Sequence, residues 1–267
     1  MWHIFCEESG DKQVPWINGS TDFYIVTAIL VKEEDVDSFR NIISEYKHKV
    51  LRMKAPLEWK KLKPQQKKDD KLLGRFLKKI DENAPDFLVS NVICNKHETT
   101  GPGFIKDPNL LMNYLYGLMF KRIAWFLQRT NSRAKLTIDR NTDRLAQESL
   151  RTYISMVSRY HTGSHPRHSK PNWINPETDP VLGFADFISG ISLRALSDYL
   201  HNVDASCKTC EKSLCIYDCS TSLFSYKRSL KYVLDWNAAQ LPNWSWRGLL
   251  YHPFEYKDNY KHLFEPK

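Results

Sequence analysis

Acidic residues in this chain stand where an α/β sheet would present side chains for chemistry. Glu7 and Glu8 end the first predicted strand, and adjacent strand residues point to opposite faces, so one of the two can enter a crevice. Asp139 terminates the apolar strand 136–138, and Asp186 stands in an otherwise apolar stretch near the start of a predicted helix. Each position also has a structural explanation, because chains turn at strand ends and an acid near a helix start favours the helix dipole.

Glu58 and Lys60 add a carboxylate and an ammonium group separated by one residue. On an extended chain, this spacing places both side chains on the same side of the backbone. Asp186 is the acid for which a purely structural role is least convincing. Burying a single carboxylate among apolar side chains is costly unless it is paired or binds a cation. The hypothesis of a catalytic site therefore depends on whether these residues converge.

Carboxylates brought together from separate elements repel one another, and a divalent cation would relieve that repulsion. Oxygen ligands without a matching set of His and Cys favour Mg²⁺ or Mn²⁺ over zinc. Two such ions can activate water and stabilise the leaving oxygen in phosphodiester cleavage, which predicts a metal-dependent nuclease-like hydrolase. The predicted catalytic ligands are Glu7, Glu58, Asp139 and Asp186, with Glu8 as a supporting or alternative ligand and Lys60 as the cation that stabilises charge on the phosphate.

The balance of charges favours an anionic partner. The 267 residues include 39 Lys and Arg against 31 Asp and Glu, a formal net charge of +8 with a pI near 9.0. A helix predicted from Pro64 has one apolar face and one basic face, and the basic face is either merely solvated or follows the phosphates of a nucleic acid. The residues predicted to contact nucleic acid are Lys67, Lys68, Lys71, Arg75, Lys78, Lys79 and Arg140.

Composition and segment lengths exclude several classes of protein. A hydrophobic fraction of 42% and a charged fraction of 26% argue against intrinsic disorder. Because the chain has no run of eighteen apolar residues, we expect no membrane span. The first eight residues lack the basic region of a secretory signal, and six cysteines without such a signal indicate a reducing compartment, so we expect a cytoplasmic protein.

The order of predicted elements is typical of an α/β protein with a mixed sheet flanked by helices. The chain opens with a predicted hairpin of strands 3–7 and 23–31, the second almost entirely apolar, as expected for a central strand covered on both faces. Further strands are predicted at 87–94 and 134–139, and helices at 33–51, from 107–108, at 143–160 and at 180–201. We therefore predict a core domain at 1–203 and a Cys-rich, aromatic appendage at 204–267 that packs on it.

The segment 4–11 (Ile-Phe-Cys-Glu-Glu-Ser-Gly-Asp) resembles the opening aliphatic–Asp-Glu-Ser-Gly motif of domain-of-unknown-function family 3800. The segment 185–190 (Ala-Asp-Phe-Ile-Ser-Gly) resembles the family's Ala-Asp–aliphatic–aliphatic-Ala-Gly stretch, and the apolar strand, Glu58-Trp59-Lys60 and Asp139-Arg140 lie between them in the same order. The resemblance spans roughly residues 2–200 and implies an RNase H-like fold with acids on the first strand, a middle strand and the last helix. One position departs from the pattern, because the family usually has Asp where this chain has the longer Glu7.

That departure keeps two other functions open. The chain could be a non-catalytic module that binds nucleic acid or protein on the same fold without a working metal cluster, and Glu7 is the feature that favours this alternative most. It could also be a hydrolase of a small nucleotide, an alternative that the size of the cleft would distinguish.

Two further clusters contain residues that bind metals in other proteins. Cys207, Cys210, Cys215 and Cys219 have spacings that can surround one tetrahedral zinc ion in a structural site, with free thiols or disulfides as the alternatives. The loop with His161, His165 and His168 contains glycine and proline, which prevent a helix from aligning the three imidazoles. For these histidines, lining the substrate cleft is therefore favoured over metal ligation.

Overall fold

Six strands form one mixed sheet in the computed structural model, which describes residues 1–14, 16–99, 103, 107–140, 143–162, 167–201, 233 and 249–252. The strands are β1 (Trp2–Ser9), β2 (Phe23–Lys32), β3 (Phe87–Asn95), β4 (Ala134–Asp139), β5 (Asn172–Ile174) and β6 (Leu249–His252). Their spatial order is β5-β4-β1-β2-β3-β6. Strand β2 is antiparallel to β1 and β3, whereas β4 is parallel to β1, β5 to β4 and β6 to β3.

Helices cover both faces of this sheet, which confirms the predicted α/β class. They are α1 (Val36–Lys49), α2 (Pro64–Lys68), α3 (Asp70–Asn83), α4 (Pro108–Arg129), α5 (Arg144–Thr162) and α6 (Pro180–His201). Three short 3₁₀ turns, at Glu33–Asp35, Trp59–Lys61 and Pro176–Thr178, connect some of these elements. One apolar cluster joins the sheet to α1, α3 and α6, and a second joins its other face to α4 and α5.

The central position of β2 follows from its sequence. Nine of its ten residues are buried, because alternate side chains enter the two different clusters. Ile25 and Ile29 face α1, α3 and α6, whereas Tyr24 and Val26 face α4 and α5. An unbroken apolar strand can therefore remove every one of these side chains from water.

Several predicted elements differ in detail from the structure. The helix predicted from Pro64 is not continuous, because the backbone leaves helical geometry at Asp69, whose carboxylate accepts a hydrogen bond from the Leu72 N–H at 2.9 Å and caps α3. The chain is not extended through Trp59–Lys61, which forms a 3₁₀ turn. Strands β5 and β6 were not predicted, since three or four residues are too few to show an alternating pattern.

The C-terminal residues 204–267 are described only at Val233 and in β6. Strand β6 pairs with β3 and so extends the sheet of the core. The predicted zinc ligands Cys207, Cys210, Cys215 and Cys219 lie outside the described residues. Among the helices that are described, none combines the length and the hydropathy needed to cross a bilayer.

Helix α6 is approached unusually closely by the segment 57–59. A Cβ atom added to Gly183 would lie 2.2 Å from the carbonyl oxygen of Leu57, and one added to Gly190 would lie 2.2 Å from Cγ of Trp59. The two glycines stand on either side of Asp186. Because they have no side chains, the segment 57–59 can lie against the part of α6 that carries this acid. Close packing at Gly190 is therefore a structural condition for the site described below.

We predict that Gly190→Ala destabilises the fold by about 1–3 kcal/mol, because the new methyl group overlaps the Trp59 ring. An open helical position would respond in the opposite way, since Ala is preferred over Gly by roughly 1 kcal/mol. The same substitution in a Trp59→Ala background should therefore be neutral or stabilising. Urea unfolding of the four proteins measures both effects, and a destabilisation that persists without the Trp59 ring would contradict this explanation.

Candidate functional site

The parallel pairing of β1 with β4 places Glu7 and Asp139 side by side. Phe5 is paired with Thr137 in the register of these strands, and Glu7 and Asp139 each follow two residues later. Side chains two residues apart on a strand share a face, so both acids lie on the face occupied by Phe5, which is covered by α6. The sequence left open whether the acids converge, and the strand register places this pair together at the carboxyl ends of the two strands.

Helix α6 brings Asp186 to the same face. Its Oδ2 atom accepts a hydrogen bond of 2.5 Å from the backbone N–H of Trp59. The hydroxyl groups of Ser9 and Ser189 share a hydrogen bond of 2.9 Å, which ties the end of β1 to the next turn of α6. The segment 57–59 therefore gives Asp186 a neutral hydrogen-bond donor, the Trp59 N–H, which does not cancel the negative charge of the carboxylate.

Burial and neighbouring negative charges disfavour ionisation of all three carboxyl groups. Burial raises the pKa of Glu7 well above its usual value, and the negative charges of Asp139 and Asp186 raise it further. Burial also raises the pKa of Asp186 to about 6, with contributions from Glu58 and Asp139 and against the effect of the Trp59 hydrogen bond. The pKa of Asp139 is raised mainly by burial and then by Glu8. This part of the molecule therefore concentrates negative charge where little water screens it.

Glu58 lies beside this group but is already neutralised by lysines. Its carboxylate is buried, with Lys60 Nζ at 2.8 Å from Oε2 and Lys61 Nζ at 2.7 Å from Oε1. Burial by itself would raise the pKa of Glu58, but hydrogen bonds from both lysines bring it below the usual value. Glu58 thus holds the largely exposed Lys60 ammonium next to Asp186, whose charge also acts on it.

Glu8 points to the opposite face of the sheet, as the alternation of side chains along β1 requires. The Tyr24 hydroxyl donates a hydrogen bond to Glu8 Oε2, and Lys12 Nζ lies 3.4 Å from Oε1. Glu8 is therefore separated by the sheet from Glu7 and Asp186.

The donor chemistry of the site suits a hard divalent cation, since Glu7, Asp139 and Asp186 supply carboxylate oxygens. The negative charges of both aspartates raise the pKa of Glu7, so positive charge near it would favour the ionised form of this carboxyl group. Across the described ranges, however, no three Asp, Glu, His or Cys side chains lie close enough together to form a ready-made metal site. Binding an ion here would thus require the carboxylates to draw closer around it.

Two buried polar residues that the sequence analysis did not single out continue the row from Glu7 across the sheet. Glu7 is paired with Thr27 of β2, and Thr27 is paired with Asn91 of β3. The Thr27 hydroxyl donates a hydrogen bond of 2.6 Å to Asn91 Oδ1, while Asn91 Nδ2 has no hydrogen-bond partner among the described residues. The sequence signal was available, because Thr27 is the single hydroxyl within the apolar run 23–31 apart from Tyr24.

The predicted basic surface consists of residues in different environments. Lys78 and Lys79 pair with Glu82, at 3.6 and 2.7 Å. Lys67 lies over the Trp59 ring, with its Nζ 5.7 Å from the ring centroid, so this end of the surface borders the site. The exposed members of the surface that have no ion pair within the described part of the chain are Lys68, Lys71 and Arg75, and Arg140 is exposed directly after Asp139.

His168 does not line the carboxylate site. Its ring nitrogens contact the Ser158 hydroxyl at 2.7 Å and the Ser169 carbonyl at 2.8 Å, and its ring packs against Phe120 of the opposite apolar cluster. The prediction that the histidine loop lines the substrate cleft thus finds no support at His168, whose ring is engaged away from the carboxylates. His165 lies outside the described residues, as does the side chain of His161.

We predict that Asp186→Asn stabilises the protein at pH 8 by about 1–3 kcal/mol, since one pKa unit is worth about 1.4 kcal/mol. The pKa of Asp186 is about 6 in the folded protein, above its unfolded value, so the folded state takes up this proton first. The free energy of unfolding of the wild type, compared with that of Asp186→Asn, is then greatest at low pH and falls as the pH rises through 6. Thermal unfolding between pH 4 and 8 tests this, with exposed Glu34→Gln as the control; a difference that is independent of pH would contradict it.

Comparison of the sequence with protein-family models and with curated proteins identifies no relative of this chain. No protein-family model matches it, and no curated protein matches it significantly. The proposals that follow are therefore supported by the residues of this chain and by their geometry.

Proposed function

We propose that this protein is a metal-dependent phosphodiester hydrolase of the nuclease type, acting on nucleic acid with Mg²⁺ or Mn²⁺. The observation that carries the proposal is the placement of Glu7, Asp139 and Asp186 on one face, where the charges of the two aspartates raise the pKa of the glutamate. A structural role explains such an arrangement poorly, because a buried carboxylate beside two partly buried ones destabilises a fold unless something binds them.

We also propose that the fold is RNase H-like and that the chain is related to domain-of-unknown-function family 3800. The resemblance implies acids on the first strand, on a middle strand and on the last helix. Glu7 on β1, Asp139 on β4 and Asp186 on α6 have this distribution, and α6 is the last helix of the predicted core. The order of the central strands, with β1 between β2 and β4, supports the same assignment.

The residues of the site have separate roles in this mechanism. Glu7, Asp139 and Asp186 would hold the cation, with Glu58 as an additional ligand if one of its lysines is displaced. The metal would lower the pKa of a bound water and stabilise the charge on the leaving oxygen. Lys60 is held at the surface by Glu58 and places a positive charge beside the site for a phosphate of the substrate.

The basic residues extend this positive charge along the surface. Lys67 borders the site at the Trp59 ring, and the exposed cations of α2 and α3 continue from it, so a phosphate backbone could leave the site over this surface. Arg140 provides a cation on the other side of Asp139.

A second, structural metal belongs to the proposal. Cys207, Cys210, Cys215 and Cys219 would bind one zinc ion through four thiolates, a site that supplies folding free energy to a polar segment without a core of its own. This zinc would have no open coordination position and would take no part in hydrolysis.

The alternative function is a non-catalytic module that binds nucleic acid or protein. Glu7 is the feature that favours this alternative, because the family that the chain resembles usually has the shorter Asp at this position, and the longer side chain would have to reach a cation differently. A hydrolase of a small nucleotide would use the same carboxylates but would not need the basic surface of α2 and α3.

We expect cleavage of single- or double-stranded DNA or RNA only with Mg²⁺ or Mn²⁺, and a loss of at least 100-fold in Asp139→Asn and in Asp186→Asn. The amides retain the shape of the side chains but remove the charge that holds the ion. The same ions should raise the melting temperature of the wild type and leave both variants unchanged, because a ligand stabilises only the state that binds it.

Glu34→Gln serves as the matched control for both measurements, because Glu34 is exposed and lies in the turn after β2, at the opposite end of the β1–β2 pair from Glu7. Variants that cleave at the wild-type rate would reject the assigned ligands. A wild type that binds nucleic acid but shows neither cleavage nor metal stabilisation would favour the non-catalytic module.

We expect nucleic-acid affinity to fall with salt, with a slope of roughly −0.7 to −0.9 in log affinity against log salt for each phosphate neutralised. The triple variant Lys68→Gln/Lys71→Gln/Arg75→Gln should make this slope less steep, by the contribution of about two to three phosphate contacts. Fluorescence anisotropy at several salt concentrations measures the slope. A double variant of Lys47 and Lys54, which lie together by another cavity, is the control, and an equal change in both proteins would argue against a specific role for α2 and α3.

A further inference from the structure

A second cavity lies on the opposite face of the sheet from Asp186, at the same carboxyl ends of β1 and β4. Its volume is about 280 Å³, and its charged and amide lining comes from Glu8, Lys12, Asp139, Arg140 and Gln147. Its size is just below the roughly 300–1,000 Å³ that ligand pockets occupy. The cavity thus has room for one planar group rather than for a segment of folded protein.

The walls of this cavity suit an aromatic ring. Trp173 of β5 lines it on one side, and Tyr116 and Met112 of α4 line it on another. Trp173 is only partly buried, so part of the indole remains available to a ligand. Nucleobases stack on such side chains because every base presents a π-face.

Glu8 is fixed at the cavity and retains free acceptor capacity. The Tyr24 hydroxyl binds Oε2 and Lys12 lies 3.4 Å from Oε1, yet 26% of the Glu8 side chain is exposed. A carboxylate offers about four acceptor positions, two on each oxygen. The two contacts leave acceptor capacity on this carboxylate for a ligand that presents two neighbouring donors.

Guanine is the base with that pattern. Its N1–H and N2–H₂ groups are adjacent donors in one plane and match the two oxygens of a carboxylate, as a guanidinium group does. Adenine and cytosine place an acceptor nitrogen beside their amino group, and uracil and thymine place carbonyl groups on both sides of their N–H. An ionised Glu8 would repel those acceptors.

We propose that the cavity between β1, β4, α4 and α5 is a nucleobase subsite that prefers guanine, with Glu8 as the base-reading residue and Trp173 as the stacking surface. Arg140 at its mouth would contact the phosphate attached to the base, and Asp139 lines the cavity while belonging to the carboxylate site on the other face. This inference rests on the proposed function, for which it specifies a guanine next to the phosphate that is cleaved.

The test is calorimetric titration of the full chain with GMP, AMP, CMP and UMP in EDTA, where no metal-dependent cleavage can occur. We expect GMP to bind at least tenfold more tightly than the other three. Glu8→Gln should bring the four affinities to within about threefold of one another, because an amide presents a donor to one of the guanine donors. Similar melting temperatures of variant and wild type establish that the variant is folded.

Arg140→Gln is a second variant, and it should not disturb the packing of the fold because Arg140 is exposed. It should weaken all four mononucleotides equally, preserve the preference for GMP and leave guanosine binding unchanged. Equal affinities in the wild type, or a preference for GMP that survives in Glu8→Gln, would overturn the proposal, and competition of all four by inorganic phosphate would identify a phosphate site instead.

The outcomes also separate this inference from the proposed hydrolase. A protein that binds GMP selectively but cleaves no nucleic acid would support the subsite and reject the activity. A protein that cleaves with Mg²⁺ but does not distinguish the mononucleotides would support the activity and reject the subsite.

Discussion

The loss of water around three clustered carboxylates, one buried and two partly buried, is the constraint on which this site depends. Glu7, Asp139 and Asp186 come from two strands and a helix, and each has a pKa above its ordinary value, chiefly because of burial. Such a group costs folding free energy, so the surrounding structure must hold it in place. The hydrogen-bonded backbone of β1 and β4 and the packing of α6 on the sheet supply that support.

The loop before α2 places both a hydrogen-bond donor and lysine side chains next to these carboxylates. Gly183 and Gly190 let the segment 57–59 contact α6, and the contact brings the Trp59 N–H to Asp186 and the lysine-paired Glu58 beside it. Positive charge therefore reaches the rim of the site through Lys60, while the interior remains negative. This division of charge is what the proposed metal-dependent hydrolase would use.

The sheet separates two environments at one edge. On the α6 side, Glu7 and Asp186 form an electronegative interior; on the α4 and α5 side, Glu8 is engaged by Tyr24 and Lys12 in a cavity with an aromatic wall. Two adjacent glutamates thus have different surroundings because successive strand residues point to opposite faces. The end of β4, with Asp139 followed by Arg140, borders both environments.

Periodicity and apolar runs were sufficient to predict the α/β class, the antiparallel opening hairpin and most of the long helices, since burial of alternate or helical faces is a local property of the chain. The acids at the ends of β1 and β4 were also identifiable, because strand ends are visible in the sequence. The proximity of Asp186 to Glu7 was not, since it depends on α6 lying across the sheet. The break at Asp69 and the lysine pairs of Glu58 join residues only two or three positions apart, but hydrophobic periodicity does not report such polar contacts. The cavity at Glu8 was decided by tertiary structure alone, because residues from two helices and two other strands meet there.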